Sequence, residues 1–343
     1  MKDTVYAFAL HPNIELQYYE PLNFIKPWTW NNRLHDKLIV IDQQYAIIGG
    51  RNIADKYFVE EGEKTAVKDR DVLIINSNQH SSDKSVISQM KTYFNELWTH
   101  DFSKPAIGKL SARQQQKGEK HTKQLLEERE QLVSTYPAIF DPNTNWQQQS
   151  IPTKKISFIH NPIQRMNKEP WIWSEITNIL KTVESSFVAE SPYVIPTKSM
   201  LKHLEDIPIP MKNGTIMTNS LTSTPNPLAY SGHVRHIDKI INNDLDLLEY
   251  RGLDSVHGKT YIFDNRLSMI GSFNLDARSS YLSTESMVVI DSPEFADQLN
   301  KRMETRFSEK VITTKKTVNN DSSIKKFFLK VLSYITVFYQ HLL

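Results

Sequence analysis

The stretch RLHDKLIVIDQQYAIIGGRN, residues 33–52, and the stretch SVHGKTYIFDNRLSMIGSFN, residues 255–274, run in one register without a gap. In both, a lysine follows the histidine by two positions, an aspartate by seven, a glycine by fourteen and an asparagine by seventeen. His35, Lys37, Asp42, Gly49 and Asn52 therefore stand opposite His257, Lys259, Asp264, Gly271 and Asn274. Chance seldom keeps five such positions, so the chain reads as a duplication. The apolar runs at 38–41 and 45–48, and at 261–263 and 267–270, predict two buried strands joined by a polar turn in each copy. Histidine and lysine alternate along the first strand and so share one face, which is where a site would be built.

Working outward, DRDVLII (69–75) and ESMVVID (285–291) each put a carboxylate before a short apolar strand, setting Asp69 or Asp71 opposite Glu285. Upstream, HPNIELQYYEP (11–21) resembles NDLDLLEYRG (243–252), each a strand leading toward its histidine. Before that strand the second half holds a full run of elements. These are a helix around 171–183, a strand in SSFVAESPYVIP, a helix near Leu201, a strand in GTIMTNSL and a helix around 233–241. The first half has only its opening residues, so roughly 60 residues of repeat one are missing by internal comparison.

The expected fold is α/β: two repeats packed as a pseudo-twofold pair, each a mixed sheet flanked by helices, the first truncated at its N-terminus. The expected divisions are a partial first repeat over 1–104 and a polar linker or exposed helix over 105–150. A complete second repeat over 151–312 and a linker with a C-terminal amphipathic helix over 313–343 follow.

Lys plus Arg (41) nearly cancel Asp plus Glu (39), so the formal charge of +2 exerts no global pull toward nucleic acid or anionic lipid. The chain has no cysteine, which removes disulfides and thiolate metal sites. Its first residues carry no long apolar run behind a basic segment, unlike a signal peptide or a membrane span. Near the C-terminus, Ile324, Phe327, Phe328, Val331, Leu332, Ile335, Phe338 and Leu342 recur at helical spacing beside Lys325, Lys326 and Lys330. That stripe fits an interfacial helix and a helix docked on its own core equally well.

A histidine, a lysine two residues on and an asparagine on the following strand supply a nucleophile or acid, a cation and an amide donor. Lys37, Lys259, Asn52 and Asn274 can donate to non-bridging phosphate oxygens and hold charge in a phosphoryl transition state, so no metal and no cofactor is expected. The two imidazoles divide the remaining work: one must be neutral to attack phosphorus, the other protonated to release the departing alcohol. Asp69 or Asp71, and Glu285, can orient a histidine through its far nitrogen. Asp42 and Asp264 complete the repeated catalytic set, although at the ends of their strands they suit shaping the turn better than touching substrate. His233 and Arg235 open a helix near the expected mouth. His203 and His236 read as surface or capping residues, Tyr193 and the tryptophans 28, 30, 171 and 173 as packing residues. His100, His121, His160 and His341 lack partners at metal spacing.

HDKLIVID with GGRN, and HGKTYIFD with GSFN, resemble the duplicated HxKxxxxD and G-G/S-x-N signature of the phospholipase D superfamily. HPNIELQYYEP, GGRNIADKYF, SPYVIP, TNSL and GSFNLDARSSYLSTES look like its bacterial cardiolipin synthase group. The resemblance implies one site built from both repeats and a phosphohistidine formed on a phosphatidyl group, then captured by an alcohol. Phosphatidylglycerol is the expected donor; a second phosphatidylglycerol as acceptor gives cardiolipin, and phosphatidylethanolamine or water are the other acceptors. Which histidine attacks stays open. The implied partners are phospholipids and a membrane surface, peripheral on the cytoplasmic side of a bacterial cell membrane, with no nucleic acid. The competing readings are a hydrolase or nuclease of the same superfamily and an inactive truncated remnant.

Overall fold

The computed structural model describes residues 2–59, 66–77, 84–205, 207, 214–224, 226–234, 245–307 and 311–313. It divides into two compact units, Met1–Trp30 with Thr92–Ser150 and Asn31–Lys91 with Ile151–Leu343. These units are discontinuous in sequence, with breaks after Trp30, Lys91 and Ser150.

In the smaller unit the polar 105–150 region supplies a long helix, Ala112–Thr135, which starts on Ser111. The Ser111 side chain accepts from the Gln114 amide and Gln114 reaches back to the Ser111 amide, a capping box. This helix packs against Lys2–Leu10 at Gly118, where an added Cβ would lie 2.7 Å from Leu10 and 2.9 Å from Tyr6. Thr4 meets His121 at 3.0 Å across the same contact. The strand expected in HPNIELQYYEP forms over Gln17–Tyr19, but it pairs antiparallel with Ser103–Pro105 inside this unit. It therefore forms a sheet of its own rather than a strand of the sheet that follows His35.

The larger unit is built on an eight-stranded mixed sheet. Its order is Val311–Thr313, Asp246–Tyr250, Gly214–Asn219, Phe187–Glu190, Thr260–Phe263, Leu267–Gly271, Ser286–Asp291 and Lys155–His160. Gly214–Asn219 runs parallel to both of its neighbours, and the remaining pairs are antiparallel. Strand alternation sorts the side chains. Tyr261, Phe263 and Met269 turn to one face, under the helices Trp171–Leu180 and Lys198–Glu205. Ile262, Ile270 and Val288 turn to the other, where the helix Pro293–Phe307 packs.

On that second face lies a three-stranded antiparallel sheet, Leu38–Ile41, Tyr45–Gly49 and Asp71–Ile75. Ala46, Ile48 and Ile74 interdigitate with Val288 and Ile290 to form the core between the sheets. Its hairpin matches that of the second segment residue for residue. Gln44 donates to Ile41 O and Arg266 to Phe263 O, both at 3.0 Å. Asp42 and Gln43, like Asp264 and Asn265, have φ between 48° and 59°. These are type I′ turns, which match the twist of the flanking strands. The surroundings differ. Thr260–Phe263 is covered by Phe187–Glu190 and by the helices, leaving Tyr261 and Phe263 0 and 2% exposed, whereas Leu38–Ile41 is an edge strand with Ile39 and Ile41 50 and 42% exposed. Each half-exposed isoleucine forgoes about 1 kcal/mol of burial.

Candidate active site

The register of the two hairpins brings the repeated residues together. Gly49 pairs with Asp71 and Gly271 with Met287, so Asp69, two residues before the one, matches Glu285, two before the other. The glycine repeats because the next strand passes so close: a Cβ at Gly49 would meet Asp71 at 2.1 Å, and one at Gly271 would meet Ser286 O at 2.2 Å. Each histidine is then threaded against the opposite segment. His257 N donates to Lys68 O at 2.7 Å beside the parallel pairing of Ser255–Val256 with Val67–Lys68. His35 N donates to Thr284 O at 3.2 Å, next to the Leu34–Thr284 bridge.

This crossing decides which carboxylate holds which ring. Nδ1 of His257 lies 2.5 Å from Asp69 Oδ2, and Nδ1 of His35 lies 3.0 and 2.9 Å from the two oxygens of Glu285. In both cases the carboxylate takes Nδ1 and leaves Nε2 for chemistry. Lys37 Nζ donates to His35 O at 2.5 Å, and Lys259 Nζ lies 2.6 Å from Nδ1 and 3.3 Å from Nε2 of His257. Glu285 also accepts from Ser272 Oγ at 2.5 Å. The residue matching Ser272 is Gly50, where a Cβ would stand 2.4 Å from Asp69 and 2.8 Å from Lys259, so glycine is what lets the lysine stem pass.

Burial, joined by the adjacent Lys259 ammonium, lowers the pKa of His257 to about 4, against the opposing pull of Asp69. Burial alone would raise Asp69, but Lys259 and the His257 hydrogen bond outweigh it and leave the carboxyl below its usual range. The His257–Asp69 contact has ion-pair geometry, but burial, and then the Lys259 ammonium 3.8 Å from Asp69, disfavour a charged ring. Burial also brings Lys259 to about 8 and lowers Lys37.

A buried neutral histidine makes stability depend on pH. Between pH 6.5 and 4 the unfolded chain binds a proton at His257 that the folded chain does not, so stability falls as pH falls through that window. Denaturant unfolding at stepped pH should show the protein losing on the order of 3 kcal/mol more than His257→Gln between those limits. Equal slopes would mean the ring is protonated in the fold.

Other expected residues fall elsewhere. Asp71 does not orient a histidine: its carboxylate is taken by Arg51 Nε at 2.6 Å, which leaves Asp69 for that part. Asp42 and Asp264 lie on the turns, away from the rings. Asp264 accepts from the amides of Glu184, Ser185 and Ser186 at 2.7 to 3.0 Å, a structural tether. Asn52 donates to the Tyr57 hydroxyl at 2.8 Å, and the Tyr57 ring meets the His257 ring edge-on at 5.3 Å. Asn274 is buried with its amide on Ser279 Oγ at 3.2 Å. His233 is buried, its Nδ1 3.0 Å from Val194 O and its Nε2 3.7 Å from Glu249. His203 accepts from Trp173 Nε1 at 3.2 Å. Tyr193 is pushed up to about 12 by burial and by the charges of Tyr57 and Asp276. Arg235, His236, His341 and the 324–343 stripe lie outside the described residues.

Sequence reading missed Arg51, Tyr57, Arg70 and Ser272. Arg51 donates to Asp71, Tyr57 O and Asp69 O at 2.6, 2.5 and 3.0 Å, fixing the carboxylate loop. Arg70 spans to Thr260 and Glu190 at 2.7 and 3.3 Å, joining the first segment to the second. Arg51 and Ser272 occupy the positions around the repeated glycine where the two segments differ, which was the available signal.

Comparison with known proteins bears on this arrangement. Residues 176–307 match the family model described as cardiolipin synthase, PLD-like domain. A Helicobacter pylori (strain J99) protein described only as uncharacterized is 29% identical over 78% of this chain and 56% of its own length. Cardiolipin synthase C of Escherichia coli (strain K12) is 24% identical over 88% of this chain and 69% of its own. The crystal structure of phosphatidylserine synthase from Haemophilus influenzae Rd KW20 superposes with a TM-score of 0.58 at 15% identity, covering 90% of this chain and 68% of that one, a likeness of fold. The chain spans little more than half the length of its H. pylori relative. Among the described residues no helix is long and apolar enough to cross a membrane.

Proposed function

We propose that this chain of the phospholipase D superfamily, with cardiolipin synthases among its relatives, moves a phosphatidyl group from one alcohol to another through a phosphohistidine on His257. The observation that carries the reading is the pair of crossed histidine–carboxylate contacts, His257 with Asp69 and His35 with Glu285. A neutral imidazole beside an ammonium suits attack on phosphorus, so His257 Nε2 forms the P–N bond. His35, oriented by Glu285, gives its proton to the departing glycerol oxygen as the P–O bond breaks. In the second half-reaction His35 takes the proton of the incoming hydroxyl, the new P–O bond forms and His257 leaves. Lys37, Lys259, Asn52 and Asn274 hold the non-bridging oxygens.

The two segments are read as copies of one repeat meeting across the site; among the described residues no strand covers Leu38–Ile41 as Phe187–Glu190 covers Thr260–Phe263. The matched hairpins, the matched glycines and the open edge at Leu38–Ile41 support that reading. The substrates are phospholipids at a bacterial membrane surface, approached from the cytoplasmic side, with phosphatidylglycerol as donor. Incubation with labelled phosphatidylglycerol should give cardiolipin and glycerol on thin-layer plates, with no nicking of plasmid DNA under the same conditions. Nicking without lipid turnover would replace the transferase by a nuclease.

A further inference from the structure

A buried cation near Asp36 and Glu285 is not used by the reaction just described. Lys168 lies in the loop between the strand Lys155–His160 and the helix Trp171–Leu180. Its amide donates to Tyr281 O at 2.9 Å, the residue is 1% exposed, and its Nζ has no hydrogen-bond partner. A buried ammonium left unpaired is costly, and such groups are normally matched by an anion. Burial lowers the Lys168 pKa to about 8, against Asp36 and Glu285, which raise it. Asp36 follows His35 in the chain and Glu285 holds the His35 ring, so this ammonium is within electrostatic reach of the His35 face.

Two arginines belong to or border the segment that follows Asn274. Arg33 lies two residues before His35, and its carbonyl accepts from Thr284 N at 2.9 Å. Arg278 is half-buried, and its carbonyl accepts from the amides of Leu282 and Ser283 at 2.9 and 3.0 Å. Burial first, then the charge of Arg33, lowers Arg278, while Asp276 and Glu285 raise it. Backbone contacts thus bring Lys168 and Arg33 to the segment 278–284 that carries Arg278, next to Glu285, the carboxylate that holds the His35 ring.

We propose that Lys168, flanked by Arg33 and Arg278, forms a second phosphate site that holds the phosphodiester of the acceptor phospholipid while its headgroup hydroxyl faces His35. The proposal rests on the transferase reading. The phosphoryl group being transferred is met by Lys37, Lys259 and the two asparagines, which is all that a hydrolase using water requires. An acceptor that is itself an anionic phospholipid brings a second negative charge into the site, and an unpaired buried ammonium is the group to receive it. The specificity assigned is for a headgroup hydroxyl joined to a phosphodiester, over a neutral alcohol.

The test is competition between acceptors. With dihexanoyl phosphatidylglycerol as donor, the ratio of cardiolipin to alkyl ester formed with excess 1-butanol should fall about tenfold to a hundredfold in Lys168→Met and recover largely in Lys168→Arg. Equal losses of both products would make Lys168 a structural residue and overturn the proposal. Equilibrium dialysis separates this from the function itself. His257→Gln should bind two molecules of dihexanoyl phosphatidylglycerol and His257→Gln/Lys168→Met one. A single site in both overturns the second site even if transfer occurs. Two sites in a protein that transfers nothing would leave the second site standing and remove the transferase.

Discussion

His35→Ala and His257→Ala should each lower phosphatidyl transfer by about 10⁴-fold or more, with far-UV circular dichroism and the cooperative unfolding transition retained. In the proposed cycle both histidines act, one forming the bond to phosphorus and one carrying the proton, so neither would cover for the other. Groups that act as a unit are not additive, and the double variant should be about as inactive as either single one. The variants separate when the leaving group needs no proton. A donor bearing p-nitrophenolate should restore the first half-reaction to His35→Ala and leave His257→Ala silent. Rescue in the opposite sense would exchange the roles.

Asp69→Asn should cost about 10³-fold in turnover and Glu285→Gln about 10²- to 10⁴-fold, since each removes the group that fixes a ring tautomer. The stability effects should differ. Asp69 is buried against Lys259, so its loss leaves an uncompensated ammonium and lowers the unfolding midpoint, read by thermal denaturation. Glu285 retains Ser272 as a donor, and glutamine keeps an acceptor for it. Asp71→Asn is the control: it weakens the Arg51 contact and should reduce turnover by less than about tenfold. Comparable losses for Asp69→Asn and Asp71→Asn would disconnect the crossed pairing from catalysis.

The hairpins and the mixed α/β character were legible because they depend on local period and on spacing repeated within one chain, although His35 and Lys37, like His257 and Lys259, precede the strands Leu38–Ile41 and Thr260–Phe263 rather than alternating on them. The choice of Asp69 over Asp71 was not. Both precede the same strand, and only the three-dimensional path of Arg51, which claims Asp71, separates them. The crossing of each carboxylate to the other segment's histidine was equally hidden, since residues 35 and 285 are brought together by the packing of two sheets rather than by any spacing. The pairing of Gln17–Tyr19 with Ser103–Pro105 escaped because a three-residue strand carries too little pattern to name its partner. Lys168 sits in an irregular loop, and nothing in NPIQRMNKEP marks one lysine for burial.

The proposed mechanism assigns the covalent bond to phosphorus to His257. It is tested most directly by turning over phosphorus-labelled phosphatidylglycerol, quenching in alkali, which preserves a phosphorus–nitrogen bond, and mapping the label by peptide mass spectrometry. Label on His257, accumulating further in Glu285→Gln, is the expected result. Label on His35, or turnover with no labelled histidine in either segment, would contradict it.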